Sequence, residues 1–145
     1  MRRILHPSDF SLASRAAFKK AVEMAKASRA ELLVVHVLSP LPLIPDVYIA
    51  ARTYNELQRA HRATGRKQLD RLLAKAKTAG VRVSGLLLEW GIPSQQIVRA
   101  AKAKRTDMIV MGTHGRGALG KAFLGSVATR VVATAPCPVL TVRGE

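Results

Sequence analysis

The sequence is poor in cysteine and in aromatic residues. Its 145 residues include one cysteine, Cys137, which excludes an intramolecular disulfide and a thiolate cluster for zinc. Aromatic residues make up 4% of the chain and hydrophobic residues 48%, so the core must consist of Leu, Val, Ile and Ala. No apolar run reaches the roughly 20 residues of a membrane span, and the start of the chain lacks the pattern of a signal peptide. We therefore expect a soluble, cytoplasmic protein that does not bind membranes.

Acidic residues are also scarce, since 9 Asp and Glu stand against 24 Lys and Arg, for a net charge of +15. Such a charge attracts polyanions and phosphorylated ligands through its long-range field. The basic residues are spread along the chain and are densest from Arg52 to Arg82, which favours a solvated basic surface. A nucleic-acid binder with salt-sensitive affinity remains the alternative, although Tyr54 is the only aromatic residue in this stretch available for stacking. Its contacts would be Arg59, Arg62, Arg66, Lys67 and Arg71.

Short apolar runs alternate with segments of helical period, which is the order that produces a parallel sheet with crossover helices. The order βαβαβαβαβ predicts a single doubly wound α/β domain that covers residues 1–145. The second and fourth apolar runs lack alternation, as expected of central strands covered on both faces. The predicted strands begin at residues 4–5 and lie at 32–38, 81–88, 108–111 and 139–142.

Three helices are predicted from apolar residues at i, i+3, i+4 and i+7. A shorter helix follows Pro93, because proline is well tolerated in a first helical turn. Residues 39–46 contain three prolines and are predicted to form an irregular loop. The three stripes are Phe18, Ala21, Val22 and Ala25; Leu69, Leu72, Leu73 and Ala76; and Leu124, Val127, Ala128 and Val131.

A glycine-rich segment, residues 111–121, connects the fourth strand to the last helix. Glycine has no side chain to block a ligand, so successive N–H groups can point inward and bind an anion beside the N-terminus of the following helix. The segment contains Gly112, Gly115, Gly117 and Gly120.

The dinucleotide pattern GxGxxG is matched by Gly115, Gly117 and Gly120. In a dinucleotide-binding fold this pattern follows the first strand, and an acidic residue for the ribose comes about 20 residues later. Here it follows the fourth strand, and residues 140–143 at that distance contain no acid. The pattern therefore does not indicate NAD binding.

The phosphate-loop pattern GxxxxGK[ST] is matched at Gly115, Gly120 and Lys121, but the next residue is Ala122. The pattern requires a hydroxyl at that position to hold magnesium. The segment is therefore not a phosphate loop of that class.

A third pattern, Gly-x2-Gly-x9-Gly-Ser, is met with its spacing intact by Gly112, Gly115, Gly125 and Ser126. It resembles the nucleotide motif of the universal stress protein family. The resemblance extends through the chain, at residues 4–11, 33–37, 91–93 and 135–140.

The resemblance implies a five-stranded parallel sheet of order 3-2-1-4-5, with ATP across the carboxyl ends of the first and fourth strands. Ligands of open α/β sheets in general bind where the strand order reverses. By similarity, Asp9 would accept hydrogen bonds from the nucleoside, Pro7 and Ser8 would form the floor, and Val37 would contact the adenine.

The resemblance also implies which residues would bind the phosphates. Mg or Mn would be held mainly through the phosphates and not by side chains. Two residues beyond Ser126, where some members carry a hydroxyl, this chain has Ala128, with Thr129 one position later. The residues that would wrap or cap the phosphates are Gly112, Thr113, His114, Gly115, Gly125, Ser126 and Val127. Met111 and Arg116 complete the set of residues implied at the nucleotide site.

Three histidines, His6, His36 and His114, fall near strand ends on the expected cleft side. Alternation along the strands separates the directions of their side chains, so we expect no metal site there.

The function implied by the resemblance is a cytoplasmic, ATP-binding stress-response protein with at most slow ATP hydrolysis, because the sequence shows no activated nucleophile or paired carboxylates. By family analogy it would be a homodimer through its last strand, Val139 to Val142. AMP or another nucleotide in the same cleft, and a hydrolase that uses ATP as substrate, remain alternatives. A simpler interpretation of Asp9 is a turn that caps the first helix, and of Ser126 an ordinary first-turn residue.

Overall fold

The computed structural model describes residues 1–41, 44–89, 91–114 and 123–144. Within these residues, strands and helices alternate in the predicted order. The strands are β1 Arg3–Pro7, β2 Glu31–Leu38, β3 Val83–Glu89, β4 Met108–Gly112 and β5 Val139–Val142. The helices are α1 Leu12–Ser28, α2 Ala51–Thr78, α3 Pro93–Ala103 and α4 Ser126–Thr134.

The strands form one parallel sheet of order β3-β2-β1-β4-β5. β2 is paired along its length, with Leu32 opposite Ile4 of β1 and Val83 of β3. β5 forms one edge of the sheet. The α/β fold class and the strand order are therefore confirmed.

Each face of the sheet is covered by helices. Leu32 and Val34 pack into a core with residues of α1 and α2, whereas Leu33 and Val35 pack into a second core with residues of α3 and α4. Because successive side chains of a strand point to opposite faces, a strand covered on both sides is apolar without alternation. This explains the continuous apolar run that predicted β2.

The helix boundaries follow local chemistry. Ser11 caps α1, where its side chain accepts a hydrogen bond from the Ser14 N–H at 3.2 Å. Pro93 lies in the first turn of α3 as predicted.

Several boundaries differ from the prediction. β3 begins at Val83 and not at residue 81, and β1, β2 and β4 each shift by a residue at one end. α4 begins only at Ser126, because Gly125 before it has extended backbone. Leu124, expected in the helical stripe, therefore precedes the helix and is exposed. The connection after β2 runs on to Ala50 and is longer than the predicted loop. Pro42 and Leu43 within it lie outside the described residues.

A helix that crosses a membrane must be both long and apolar. Each helix of the described ranges is either too short or too polar to cross a bilayer.

Candidate functional site

A cavity of about 390 Å³ opens at the carboxyl ends of β1, β2 and β4. It lies on the side of the sheet covered by α3 and α4, since Ile97 of α3 and Ala128 of α4 form part of its wall. Gly115 and Arg116, also predicted at the site, lie outside the described residues. The other predicted site residues all line the cavity: Pro7, Ser8, Asp9, Val37, Met111, Gly112, Thr113, His114, Gly125, Ser126 and Val127.

The cavity opens because β1 and β4 separate. Their parallel pairing is confined to Ile4 with Met108 and Leu5 with Ile109. Beyond that point a side chain joins the two strands, because the imidazole Nδ1 of His6 forms a hydrogen bond with the Val110 carbonyl oxygen at 2.8 Å. The gap coincides with the reversal of strand order, where open α/β sheets bind ligands.

On the β1 side, Asp9 is held in a hydrogen-bonded turn. Its Oδ1 accepts from the N–H of Ser11 at 3.0 Å, and Ser8 Oγ accepts from the N–H of Phe10 at 3.2 Å. Ser8 Oγ also lies 2.8 Å from Ser14 Oγ of α1. The turn therefore presents the Asp9 carboxylate to the cavity on a braced backbone, while Ser11 and not Asp9 caps α1.

On the β4 side, the start of α4 is tied to the end of the strand. The N–H of Gly125 donates to the carbonyl of Thr113 at 2.7 Å. Within the part of the chain that the structure describes, no side chain caps α4. The N–H groups of its first turn have no partner within the helix, as in every α-helix. They carry the positive end of the helix dipole. Ser126 begins the helix and its side chain is exposed. This wall is therefore suited to a negatively charged ligand.

His114 adds a polar group to the same wall. Its Nδ1 lies 2.8 Å from Thr113 Oγ1, and its Nε2 is a buried atom without a hydrogen-bond partner among the described residues. Thr129, the nearest hydroxyl beyond Ser126, donates to the Leu124 carbonyl at 3.4 Å and does not line the cavity. A ligand on this wall would meet His114 and not Thr129.

Charge in the cavity is confined to one residue among those described, since Asp9 is the only Asp, Glu, Lys or Arg in its lining. The described wall can therefore bind an anion through backbone N–H groups but through no cationic side chain. Lys121, like Arg116, lies outside the described residues.

Several lining residues were not predicted from the sequence. Val35 and Ile97 extend the apolar floor formed by Val37 and Met111, the kind of surface that contacts a flat base. The sequence offered one indication for two of them: Ser39 and Pro93 follow the ends of predicted strands, where the site was expected. The unpredicted set is Ser14, Val35, Ser39, Pro93, Ile97 and Ala128.

His6 and His36 do not line the cavity, so the expectation that they lie on its side was wrong. Both point to the face covered by α1 and α2, where the ring of His6 lies 5.6 Å from that of Phe18 and the ring of His36 lies 4.4 Å from that of Phe10. His6 is in register with Val34, two residues from His36, so both side chains lie on the same face. The expectation that alternation separates the directions of these two side chains was therefore wrong. The described ranges contain no group of three His, Cys, Asp or Glu suited to a metal ion.

The basic residues of α2 are partly neutralised within the protein. Arg62 forms an ion pair with Glu89 of β3, and Arg66 with Asp70 at 3.2 Å. Tyr54, the one aromatic residue of this helix, is half-buried and its hydroxyl accepts from Gln58 Nε2 at 3.0 Å. Fewer unpaired cations therefore line this helix than its composition predicts.

Comparison with known proteins identifies relatives along the whole chain. A sequence model described as "Universal stress protein family" matches residues 1–143. A universal stress protein of Thermus aquaticus is 42% identical over 130 aligned positions, and the alignment covers 86% of this chain and 89% of that protein. The structure of a universal stress protein from Lactobacillus plantarum superimposes with a TM-score of 0.82 at 28% identity, covering 98% of this chain and 97% of that one.

More distant proteins of the same fold have been solved with adenine nucleotides. One from Arabidopsis thaliana has AMP bound (TM-score 0.73, 20% identity, 100% of this chain and 93% of that one). Another is in complex with cAMP (TM-score 0.70, 23% identity, 99% and 98%). A third, from Archaeoglobus fulgidus, is in complex with dAMP (TM-score 0.65, 22% identity, 98% and 97%).

Proposed function

This chain belongs to the universal stress protein family, and we propose that its cavity at the ends of β1, β2 and β4 binds ATP. One observation carries the proposal. A braced carboxylate, Asp9, and the uncapped start of α4 line the same cavity. Its volume of about 390 Å³ falls within the range of about 300 to 1,000 Å³ usual for small-molecule sites.

The chemistry of the walls suggests how the nucleotide lies. The apolar floor, which includes Val37 and Met111, would contact the adenine. Asp9 would accept hydrogen bonds from the ribose hydroxyls or the amino group. The phosphates would meet the backbone from Gly112 to His114 and the first turn of α4, where unpaired N–H groups favour negative charge. Gly115 and Arg116 lie outside the described residues, and their phosphate contacts are proposed from the family resemblance alone.

The relatives solved with AMP, cAMP and dAMP support an adenine nucleotide as the class of ligand. The triphosphate is the finer part of the proposal. It rests on the Gly-x2-Gly-x9-Gly-Ser spacing, of which Gly112, Gly125 and Ser126 line the cavity. A divalent cation would be held through those phosphates, and when bound it would offset their charge.

We propose a regulatory role in the stress response, in the cytoplasm, with at most slow hydrolysis. The one charged group in the described lining, Asp9, has one oxygen committed to the Ser11 N–H. We propose that its role is to accept hydrogen bonds from the nucleoside. A homodimer through β5, residues Val139–Val142, would pair a strand that lies at the edge of the sheet, which is a common way to protect an edge.

The experiment is a series of thermal melts with ATP and magnesium, and with AMP, on the wild type and on Asp9→Asn. An amide oxygen still accepts from the Ser11 N–H, so the turn survives while the charge is lost. Nucleotide at about 100 times its dissociation constant should stabilise the wild type by roughly 2.7 kcal/mol. Loss of a charged acceptor should weaken binding in Asp9→Asn by about tenfold or more.

The matched control is Asp46→Asn. Asp46 is exposed, lies outside the cavity lining and has a φ of 66°, a conformation that asparagine adopts readily. Its affinity for ATP should equal that of the wild type. Absence of a midpoint rise in the wild type would exclude the ATP site. Equal weakening in both variants would show a general charge effect and exclude the role of Asp9.

A further inference from the structure

A second cavity, which we call the α2 cavity, lies between the ends of β2 and β3 and the first turns of α2. Its volume is about 260 Å³, which is small for a nucleotide but sufficient for a small anion. It is separate from the proposed ATP site, and Ser39 is the one described residue that lines both. Its lining is Leu38, Ser39, Pro40, Tyr54, Asn55, Gln58, Arg59, His61, Arg62 and Glu89.

The α2 cavity exists because α2 packs closely against β2 only from Gly65 onward. At Gly65 the helix is so close that an added Cβ would lie 2.8 Å from Leu38 Cδ2. From Gly65 onward the inner face of α2 is buried, at Leu69, Leu72 and Ala76. Residues 51–64 contain no buried residue, so this part of the helix extends past the core and forms one wall of the cavity.

The inner stripe of α2 changes character at the same point. Tyr54, Gln58 and His61 continue the spacing of Gly65 and Leu69 and are the half-buried residues of the first four turns. A helix that only packed against the protein would carry apolar residues along this stripe. Here polar side chains occupy it where it faces a cavity.

Hydrogen bonds and an ion pair hold the walls of the α2 cavity in place. Gln58 Nε2 donates to Tyr54 Oη at 3.0 Å, which leaves the tyrosine hydrogen available to a ligand. His61 Nε2 bonds the carbonyl of Ser39 at 3.0 Å. Arg62 pairs with Glu89. The cavity is therefore bordered by ordered polar groups and not by side chains that extend independently into solvent.

Arg59 supplies unpaired positive charge to the same lining. Arg52 and Arg66 on this helix, like Arg62, have an acidic partner, whereas Arg59 has none among the described residues. With Glu89 matched to Arg62, the lining has a net positive charge from Arg59. A guanidinium next to a hydroxyl and an amide is the donor set that binds phosphate and carboxylate oxygens.

We propose that the α2 cavity binds a small soluble oxyanion, a phosphate or a polycarboxylate, through Arg59, the Tyr54 hydroxyl and the Asn55 amide. This site is independent of the nucleotide, so its test requires none.

The test is an NMR titration of the full-length ¹⁵N-labelled protein with inorganic phosphate and, separately, with citrate. Ionic strength is held constant so that screening of the surface does not change. At least one probe should give saturable shifts in the amides of Tyr54, Asn55 and Gln58. The probe that saturates identifies the phosphate or the carboxylate as the preferred chemistry. Shifts confined to the first turn of α4 would place the anion in the nucleotide cavity and overturn the proposal.

Two variants with the same loss of charge separate the site from the general field. Arg59→Gln should weaken binding about tenfold, as expected for a charge-assisted hydrogen bond. Arg71→Gln removes the same group from an exposed position on the same helix, outside the lining, and should leave affinity within about twofold. Equal weakening in both variants, or no saturable shift with either probe, would overturn the proposal. Because ATP is absent, neither result depends on the nucleotide site.

Discussion

Acidification from pH 6.5 to about 4 should lower the free energy of unfolding by about 3 kcal/mol through His6 alone. Burial lowers the pKa of His6 from 6.5 to about 4, although the hydrogen bond to the Val110 carbonyl and the charge of Asp9 act in the opposite direction. In this window the unfolded chain binds a proton at His6 and the folded chain does not. The stabilisation is therefore complete above pH 6.5 and is lost as the pH falls.

The measurement is urea unfolding of the wild type and of His6→Asn across this pH window. The asparagine amide can still donate to the Val110 carbonyl but does not titrate. Acidification should therefore lower the unfolding free energy of His6→Asn by about 3 kcal/mol less than that of the wild type. Hydrogen bonds from Ser84 and Arg3 lower the pKa of Glu31, so its contribution to stability is also lost as the pH falls. This loss is the same in both proteins and does not affect the difference between them. Parallel pH profiles would contradict the prediction.

Gly112→Ala should destabilise the protein by about 1 to 3 kcal/mol, the usual cost of forcing an atom into a packed interior. An added Cβ would lie 2.9 Å from the carbonyl carbon of Ala13 and 3.0 Å from the Ser14 nitrogen. Both atoms belong to the backbone of α1, so the helix itself must shift. Urea unfolding at neutral pH measures the effect.

Gly65→Ala is the matched control. Its added Cβ would lie 2.8 Å from Leu38 Cδ2, the end of a side chain that can rotate away. Alanine is also favoured over glycine inside a helix by about 1 kcal/mol. We expect a change in stability within about 1 kcal/mol of zero. If Gly112→Ala were no more destabilising than Gly65→Ala, the close approach of α1 to β4 would not limit the residue at position 112.

These predictions give Gly112 a structural reason to be glycine besides the proposed phosphate contact. In the sequence it appears as one of the glycines of a nucleotide motif. In the structure it lies at the cavity and directly beneath the start of α1. A loss of nucleotide binding in a Gly112 variant must therefore be compared with its loss of stability, whereas Asp9→Asn tests the site with the turn preserved.

Local patterns predicted the elements well where the sequence carried a clear period. The apolar run of β2 and the stripe of Leu69, Leu72 and Ala76 lie where expected. The start of α4 was missed because Leu124 fits the helical spacing. Its backbone is decided by the hydrogen bond between Gly125 and Thr113, which joins the helix to the end of β4, and no periodicity contains that contact.

The sequence by itself determined the order of strands and helices, the coverage of the sheet on both faces and the glycine spacing that indicates the family. These features are encoded in the spacing of apolar residues and glycines along short segments, so they can be predicted without knowing how the segments pack. Only the tertiary structure decided that His6 bridges β1 and β4, that α1 approaches Gly112, and that Tyr54, Gln58 and Arg59 border a second cavity. Each depends on the separation of segments far apart in the chain, which is set by packing and not by local pattern.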